Sequence, residues 1–190
     1  MPAARDPARP FAYRRIAVVG TSASGKTTFS RALAARLGVP HVELDALHWE
    51  ANWREAPDNV MCERVERATS GDAWVVDGNY GVVREIVWGR AEAVIWLDLP
   101  LRTVLWRYAA RTRRRIRSGQ EIWPDTGNRE RITMHLFQRD GLLWWILKTY
   151  HRRRREFPVL LAANPRLHAV RLRSPAEADA WLSRVDPRTG

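Results

Sequence analysis

The chain has 190 residues, 45% of them hydrophobic and 28% charged, and a formal net charge of +11. That length suits one domain with one substantial core, and a single cysteine, Cys62, excludes an internal disulfide and fits a reducing, cytoplasmic setting. No apolar run reaches membrane-spanning length, the nearest being Leu142–Leu147, and Met1–Pro10 lacks the apolar stretch of a secretory leader.

Met1–Ala12 reads as a poorly ordered tail. The apolar run Arg15–Val19 then predicts a strand buried on both faces. It leads into Gly20-Thr21-Ser22-Ala23-Ser24-Gly25-Lys26-Thr27, a complete G-x-x-x-x-G-K-[ST] phosphate loop, and on through Thr28 into a helical stretch ending at Leu37. Strand, loop and helix in that order turn backbone N–H groups toward an anion at the helix N-terminus. Lys26 supplies a point charge to the β/γ-phosphates and Thr27 a hydroxyl to Mg²⁺, so ATP and Mg²⁺ are the expected ligands of Gly20–Thr28. Only Lys26 and Lys148 are lysines, against 30 arginines, so the motif's lysine does not follow from abundance.

A second strand is predicted over His41–Asp45, with Asp45 at its carboxyl end, where open parallel sheets place ligands. Asp45 there accepts a proton from an attacking hydroxyl or holds it in line; His48 could play either part, or be a partly buried structural histidine. After a helix over Asn59–Ser70, a third strand, Ala73–Asp77, ends in Asp77, expected to orient a water on Mg²⁺ or touch the metal. Gly78 follows, expected to let a substrate approach the backbone closely.

Beyond a helix over Val82–Trp88, the fourth strand, Ala93–Leu99, carries Asp98, read as a cap for the next turn. A helix opens at Pro100, with Leu101, Val104, Leu105, Tyr108 and Ile116 on its apolar face. Arg107, Arg111 and Arg114 form a stripe at that face's edge and are placed to grip phosphate oxygens, whereas Arg113 and Arg117 are read as solvated. Ser118–Asn128 reads as a loop, part of a helical, Arg-rich lid over about 107–140, with Arg129, Arg131 and Arg139 adding charge from its far side. The Trp-rich stretch Leu142–Tyr150 and the basic run His151–Arg155 read as a core-facing helix with a solvated charged end. A fifth strand, His168–Leu172, precedes a last helix with Ser174 as N-cap and Pro175 at its first position, and Asp186–Gly190 reads as a second tail.

Between Leu101 and Arg155 there are 14 Arg and one Lys against four acids, a balance of +11; elsewhere 17 basic residues meet 17 acidic ones. Such a region can hold polyphosphate, nucleic acid or an anionic membrane. A basic lid over ATP accounts for part of it, and no recognised DNA-binding motif is present, so nucleic acid is the less favoured partner.

Val75-Val76-Asp77-Gly78, together with Asp98-Leu99-Pro100 and the following Arg107 and Arg111, resembles the adenylate kinase-like branch of the P-loop kinases. The resemblance implies that Arg107 and Arg111 touch the transferring phosphates and that Ser174-Pro175 lies near the adenine. Asp45-x-x-His48-x-x-x-Asn52 is similar to the acceptor strand of gluconate kinase-like enzymes. From Arg14 to Leu182, through L-D-x-L-H-W at 44–49, D-G-N-Y at 77–80 and the Trp/Arg-rich 142–155, the chain resembles bacterial adenylate kinase-like proteins labelled DNA topology modulation proteins. The Pro-Arg that follows Asp-Gly in true adenylate kinases is missing, with Arg84 as its substitute, and 46–70 is short for a nucleoside-monophosphate-binding region.

The expectation is an α/β P-loop NTPase fold, a three-layer sandwich over 13–185 with a five-stranded parallel sheet ordered 2-3-1-4-5. The expected activity is transfer of the ATP γ-phosphate to a nucleotide or hydroxyl metabolite, with Lys26, Asp45, Arg107 and Arg111 catalytic and Thr27 and Asp77 on the metal. The alternatives are an ATP-binding regulator acting on nucleic acid and nucleotide hydrolysis without a dedicated acceptor.

Overall fold

The computed structural model describes residues 12–119, 121–123, 126–129 and 142–185. Both expected tails, apart from Ala12, lie outside these residues, as do Arg131 and Arg139.

Five strands, β1 (Arg15–Gly20), β2 (His41–Glu43), β3 (Trp74–Asp77), β4 (Ala93–Leu97) and β5 (His168–Leu172), form one parallel sheet in the expected order β2-β3-β1-β4-β5. Ile16, Val18 and Val19 on β1 and every residue of β3 and β4 are buried, because helices cover both faces. Alternation divides these side chains between two cores. Ile16, Val18, Val75, Ile95 and Leu97 meet Phe29, Leu33 and Leu37 of α1 (Lys26–Leu37) and Ala178 of α7 (Pro175–Ser183). Ala17, Val19, Val76, Val94 and Trp96 meet Met61 and Val65 of α3 (Asp58–Ala68), Val87 and Trp88 of α4 (Arg84–Arg90) and Phe157 of α6 (Leu142–Ala162). This is the three-layer sandwich. Each large aliphatic side chain so buried contributes roughly 1.5–3 kcal/mol before conformational entropy is counted.

A smaller cluster, with Leu99, Val104, Tyr108 and Ile146 at its centre, packs α5 (Leu101–Ser118) on α6 at the carboxyl end of the sheet. The chain register brings the carboxyl ends of β1, β2 and β3 together: Val18 pairs with Asp77 and Asp77 with Glu43. Ser174 caps α7, its hydroxyl accepting from Glu177 N–H at 3.1 Å, with Pro175 next, as its sequence signature predicts.

Two boundaries differ from expectation. β2 stops at Glu43, and Leu44–His48 forms a short helix, α2, so Asp45 stands in a first helical turn and Glu43 is the strand-terminal acid. The apolar Leu44 fitted the strand pattern, yet it is buried against Gly78, a contact a single sequence does not show. β4 likewise ends at Leu97, before Asp98.

Candidate active site

The phosphate loop is built where β1 turns into α1. Gly20 has φ +152°, and a Cβ there would lie 2.6 Å from the carbonyl oxygen of Leu97. Gly25 precedes α1 at φ +94°, and its missing Cβ leaves room for Nη1 of Arg107, which would otherwise stand at 2.7 Å. Ala23 adopts φ 63° despite carrying a side chain, local strain of the kind that collects at ligand sites. The Asn79 side chain fixes the start of the loop. Its Nδ2 donates to the Gly20 carbonyl and its Oδ1 accepts from the Gly20 N–H at 3.1 Å. The amide thus completes Gly20 as a neighbouring strand would.

Lys26, the first residue of α1, donates through Nζ to the Thr21 carbonyl at 3.2 Å. Burial, aided by Arg153, lowers its pKa to about 8, while Asp45 and Asp77 pull it upward and Arg111 downward. Arg107 reaches from α5 to the Ser24 carbonyl at 2.6 Å. Arg111, one turn on, is half-buried and close enough to act electrostatically on Lys26. Arg114 is exposed, groups with Arg113 and Arg117 on a solvent face, and leaves the expected stripe. At seven residues from Arg107 it lags two full turns by about 20°, rotating away from the apolar face.

Arg153 is the site residue that sequence reading missed. The run Arg152–Arg155 looked solvated, yet Arg153 is only 8% exposed and points from α6 toward the Gly20 carbonyl, 3.5 Å away. Burial, with Arg152 beside it, lowers its pKa to about 10. The signal was positional: Arg153 follows the buried Ile146, Thr149 and Tyr150 at helical spacing.

Three carboxylates gather near the ends of β2 and β3, and two of them, Asp45 and Asp77, act on Lys26. Asp77 is buried at the end of β3, with Nε2 of His41 3.5 Å from Oδ2 and, among the described residues, no hydrogen-bond donor on that oxygen. Asp45 accepts the Tyr80 hydroxyl on Oδ1 at 2.7 Å, and burial together with Asp45 holds that phenol above its ordinary pKa. Glu43 is held above the usual carboxylate range by burial, then by Asp77 and Asp45. His48 lies against Tyr80 at 4.5 Å between ring centroids, tilted by 44°, and 3.8 Å from Glu55.

Other expected positions play different parts. Gly78, at φ +142°, makes room for Leu44, whose side chain would lie 2.7–3.0 Å from a Cβ there, so its missing side chain serves packing. Asp98 is buried and paired with Arg154 at 2.9 Å and Arg171 at 2.5 Å, tying α6 and β5 to the end of β4, and among the described residues α5 has no side-chain cap. Arg129 is exposed in a bridge with Glu121, and Thr28 is exposed in the first turn of α1.

These residues fit a magnesium–nucleotide ligand. Among the described residues, the fully buried Ser24 hydroxyl has no partner and Asp77 keeps an undonated oxygen; Thr27 follows Lys26 in the first turn of α1. Gly25, lacking a side chain, lets Arg107 lie directly against the loop.

No family model matches the chain. Among curated proteins, a shikimate kinase of Gloeobacter violaceus is 32% identical over 110 residues, 47% of this chain and 59% of that protein. The chain thus spans little more than half of that relative's length. Among solved structures, the shikimate kinase of Acinetobacter baumannii, in complex with shikimate, superposes with a TM-score of 0.55 at 18% identity over 92% of this chain and 91% of that one. The chain has the P-loop kinase fold. The shikimate kinase of Bacteroides thetaiotaomicron agrees, with a TM-score of 0.54 at 14% identity over 92% of this chain and 96% of that one. None of the three bears the DNA topology modulation label.

Proposed function

We propose that this P-loop protein is a kinase that moves the γ-phosphate of ATP to a hydroxyl on a small molecule. One observation carries the reading: Lys26, Arg107 and Arg153 converge on the phosphate loop from three helices, held there by backbone carbonyls. Among the described residues, none of these three has a carboxylate within ion-pair distance. Converging unpaired cations are costly unless a polyanion joins them.

The backbone of Gly20–Thr27 cradles the phosphates, and Lys26, Arg107, Arg111 and Arg153 stabilise charge on the transferring group. Thr27 and Asp77 are the residues that would hold Mg²⁺, which neutralises phosphate charge when bound. Asp45 orients the acceptor. Tyr80 occupies Oδ1, leaving Oδ2 to take the hydroxyl proton as the oxygen attacks. The kinase name of the curated relative supports the same reaction class.

The test is ADP release with acceptors supplied singly, using Asp45→Asn as control. Acceptor-stimulated release that falls at least about 100-fold in the variant is expected. Phosphate release that no acceptor stimulates, unchanged in Asp45→Asn, contradicts the proposal and favours simple hydrolysis.

A further inference from the structure

Beside the phosphate loop, aromatic contacts close into a circuit that begins and ends on neighbouring carboxylates. Asp45 accepts from Tyr80 at 2.7 Å, Tyr80 lies against His48 at 4.5 Å, and His48 meets the edge of Trp49 at 4.9 Å. Trp49 meets Trp53 at 5.7 Å, Trp53 meets Trp123 at 6.0 Å, and Trp123 donates from Nε1 to Glu43 at 3.3 Å. Glu43 and Asp45 flank Leu44, so the path returns to its start. All seven side chains are half-buried, and Trp49, Trp53 and Trp123 join none of the three hydrophobic clusters.

Holding these tryptophans out of the core takes specific backbone work. Asn52 and Trp53 both have φ 59°, an uncommon conformation for a bulky residue. The strained turn is clamped by Asn128, 1% exposed, whose side chain accepts from Trp53 N–H at 2.9 Å and donates to the Glu50 carbonyl at 2.8 Å. Strain held by a buried amide and ending in partly exposed rings marks a ligand surface. The circuit's own carboxylates are Glu43 and Asp45; Lys26 and Arg153, which act electrostatically on Asp45, are bound to backbone carbonyls on the phosphate side. Arg54 and Arg64 on the circuit's flank are both engaged by Glu50, and Arg64 also donates to the Leu47 carbonyl. Arg84 lines a cavity with Leu44, Tyr80, Val87 and Trp88, next to the circuit.

We propose that this circuit is the acceptor cup and that its ligand is a neutral or ammonium-bearing polyhydroxylated ring, not a carboxylate or phosphate ester. Indole faces take the apolar face of a ring, and they favour an ammonium group. Glu43 and Asp45 accept from hydroxyl or ammonium donors and repel an anion. The acceptor class rests on the kinase reading above. The binding surface does not.

The experiment titrates glucose, myo-inositol and glucosamine against shikimate, gluconate and AMP, reading tryptophan fluorescence and thermal shift without nucleotide and then ADP release with ATP. Binding of a fluorescent ATP analogue is measured separately. The expected result is fluorescence change, protection and stimulated ADP release with a member of the first group and none with the second. Trp123→Ala raises KM for that acceptor about tenfold, more than it lowers kcat, and Trp123→Phe restores part of the loss. Glu43→Gln weakens glucosamine more than glucose. Preferential binding of shikimate, gluconate or AMP overturns the proposal, as does an unresponsive cup in a chain that binds the analogue. A cup that binds its ligand in a chain that never binds nucleotide overturns the kinase reading and leaves the binding surface standing.

Discussion

Asn79 holds both backbone groups of Gly20, donating to its carbonyl and accepting from its N–H at 3.1 Å. Gly20 is the first residue of the phosphate loop, so a side chain after β3 sets the angle at which β1 enters it. Asn79→Ala removes both bonds and leaves the Gly20 carbonyl only its 3.5 Å contact with Arg153, a loss of about 2 kcal/mol. For a chain of this size that lowers Tm by about 4–8 °C. Nucleotide affinity falls with it, because the loop loses its fixed entry. Thermal unfolding and nucleotide titration of the variant check both effects.

Arg153 separates stability from activity. Its burial lowers its own pKa to about 10, so the folded chain carries a cation it would be more stable without. Arg153→Met keeps the length and apolar character of the side chain, and its Tm is expected to equal or exceed that of the parent. If Arg153 meets the transferring phosphate, kcat falls about 100-fold or more. Steady-state kinetics beside a melting curve distinguish this from a structural role, in which both would decline together.

Lys26 gives a pH signature. Its pKa falls from 10.5 to about 8, chiefly through burial, so between those values the unfolded chain binds more protons and unliganded stability rises with pH. Nucleotide affinity runs the other way. Phosphates favour charged Lys26, so affinity is flat below about pH 8 and declines above it, with proton uptake on binding. Calorimetry near that pH in buffers of different ionisation enthalpy counts the protons. No uptake there contradicts the assignment.

Gly78→Ala places a Cβ 2.7–3.0 Å from the Leu44 side chain at a φ of +142°. Clash and strain together cost about 2–4 kcal/mol. Adding Leu44→Ala relieves the clash but not the strain, so the double variant loses less than the two single losses combined. Denaturant unfolding of the four proteins measures that coupling. Simple additivity would show that Gly78 and Leu44 do not press on one another.

Sequence carried the sheet and the phosphate loop because both depend on local pattern. Buried strands read as apolar runs, and Gly20–Thr27 is a motif whose chemistry follows from its order. Features that depend on distant packing were less legible. Asp45 looked strand-terminal because Leu44 continued the strand's pattern; its burial against Gly78, from another strand's end, turns the chain into α2. Arg153 and Arg154 are adjacent in a basic run, yet one faces the phosphate loop and the other pairs with Asp98. Composition cannot separate two arginines that a helix points in different directions. The cup was invisible for the same reason: Trp49, Trp53 and Trp123 meet only after the fold joins two distant segments.

Titrating Mg²⁺–ATP into the parent chain and Lys26→Ala by calorimetry asks whether Lys26 and the arginines around it hold a nucleoside triphosphate for transfer. Saturable binding by the parent and a loss of about 100-fold or more in the variant are expected, with its folded structure intact by circular dichroism. Equal affinity in the two proteins would contradict that role.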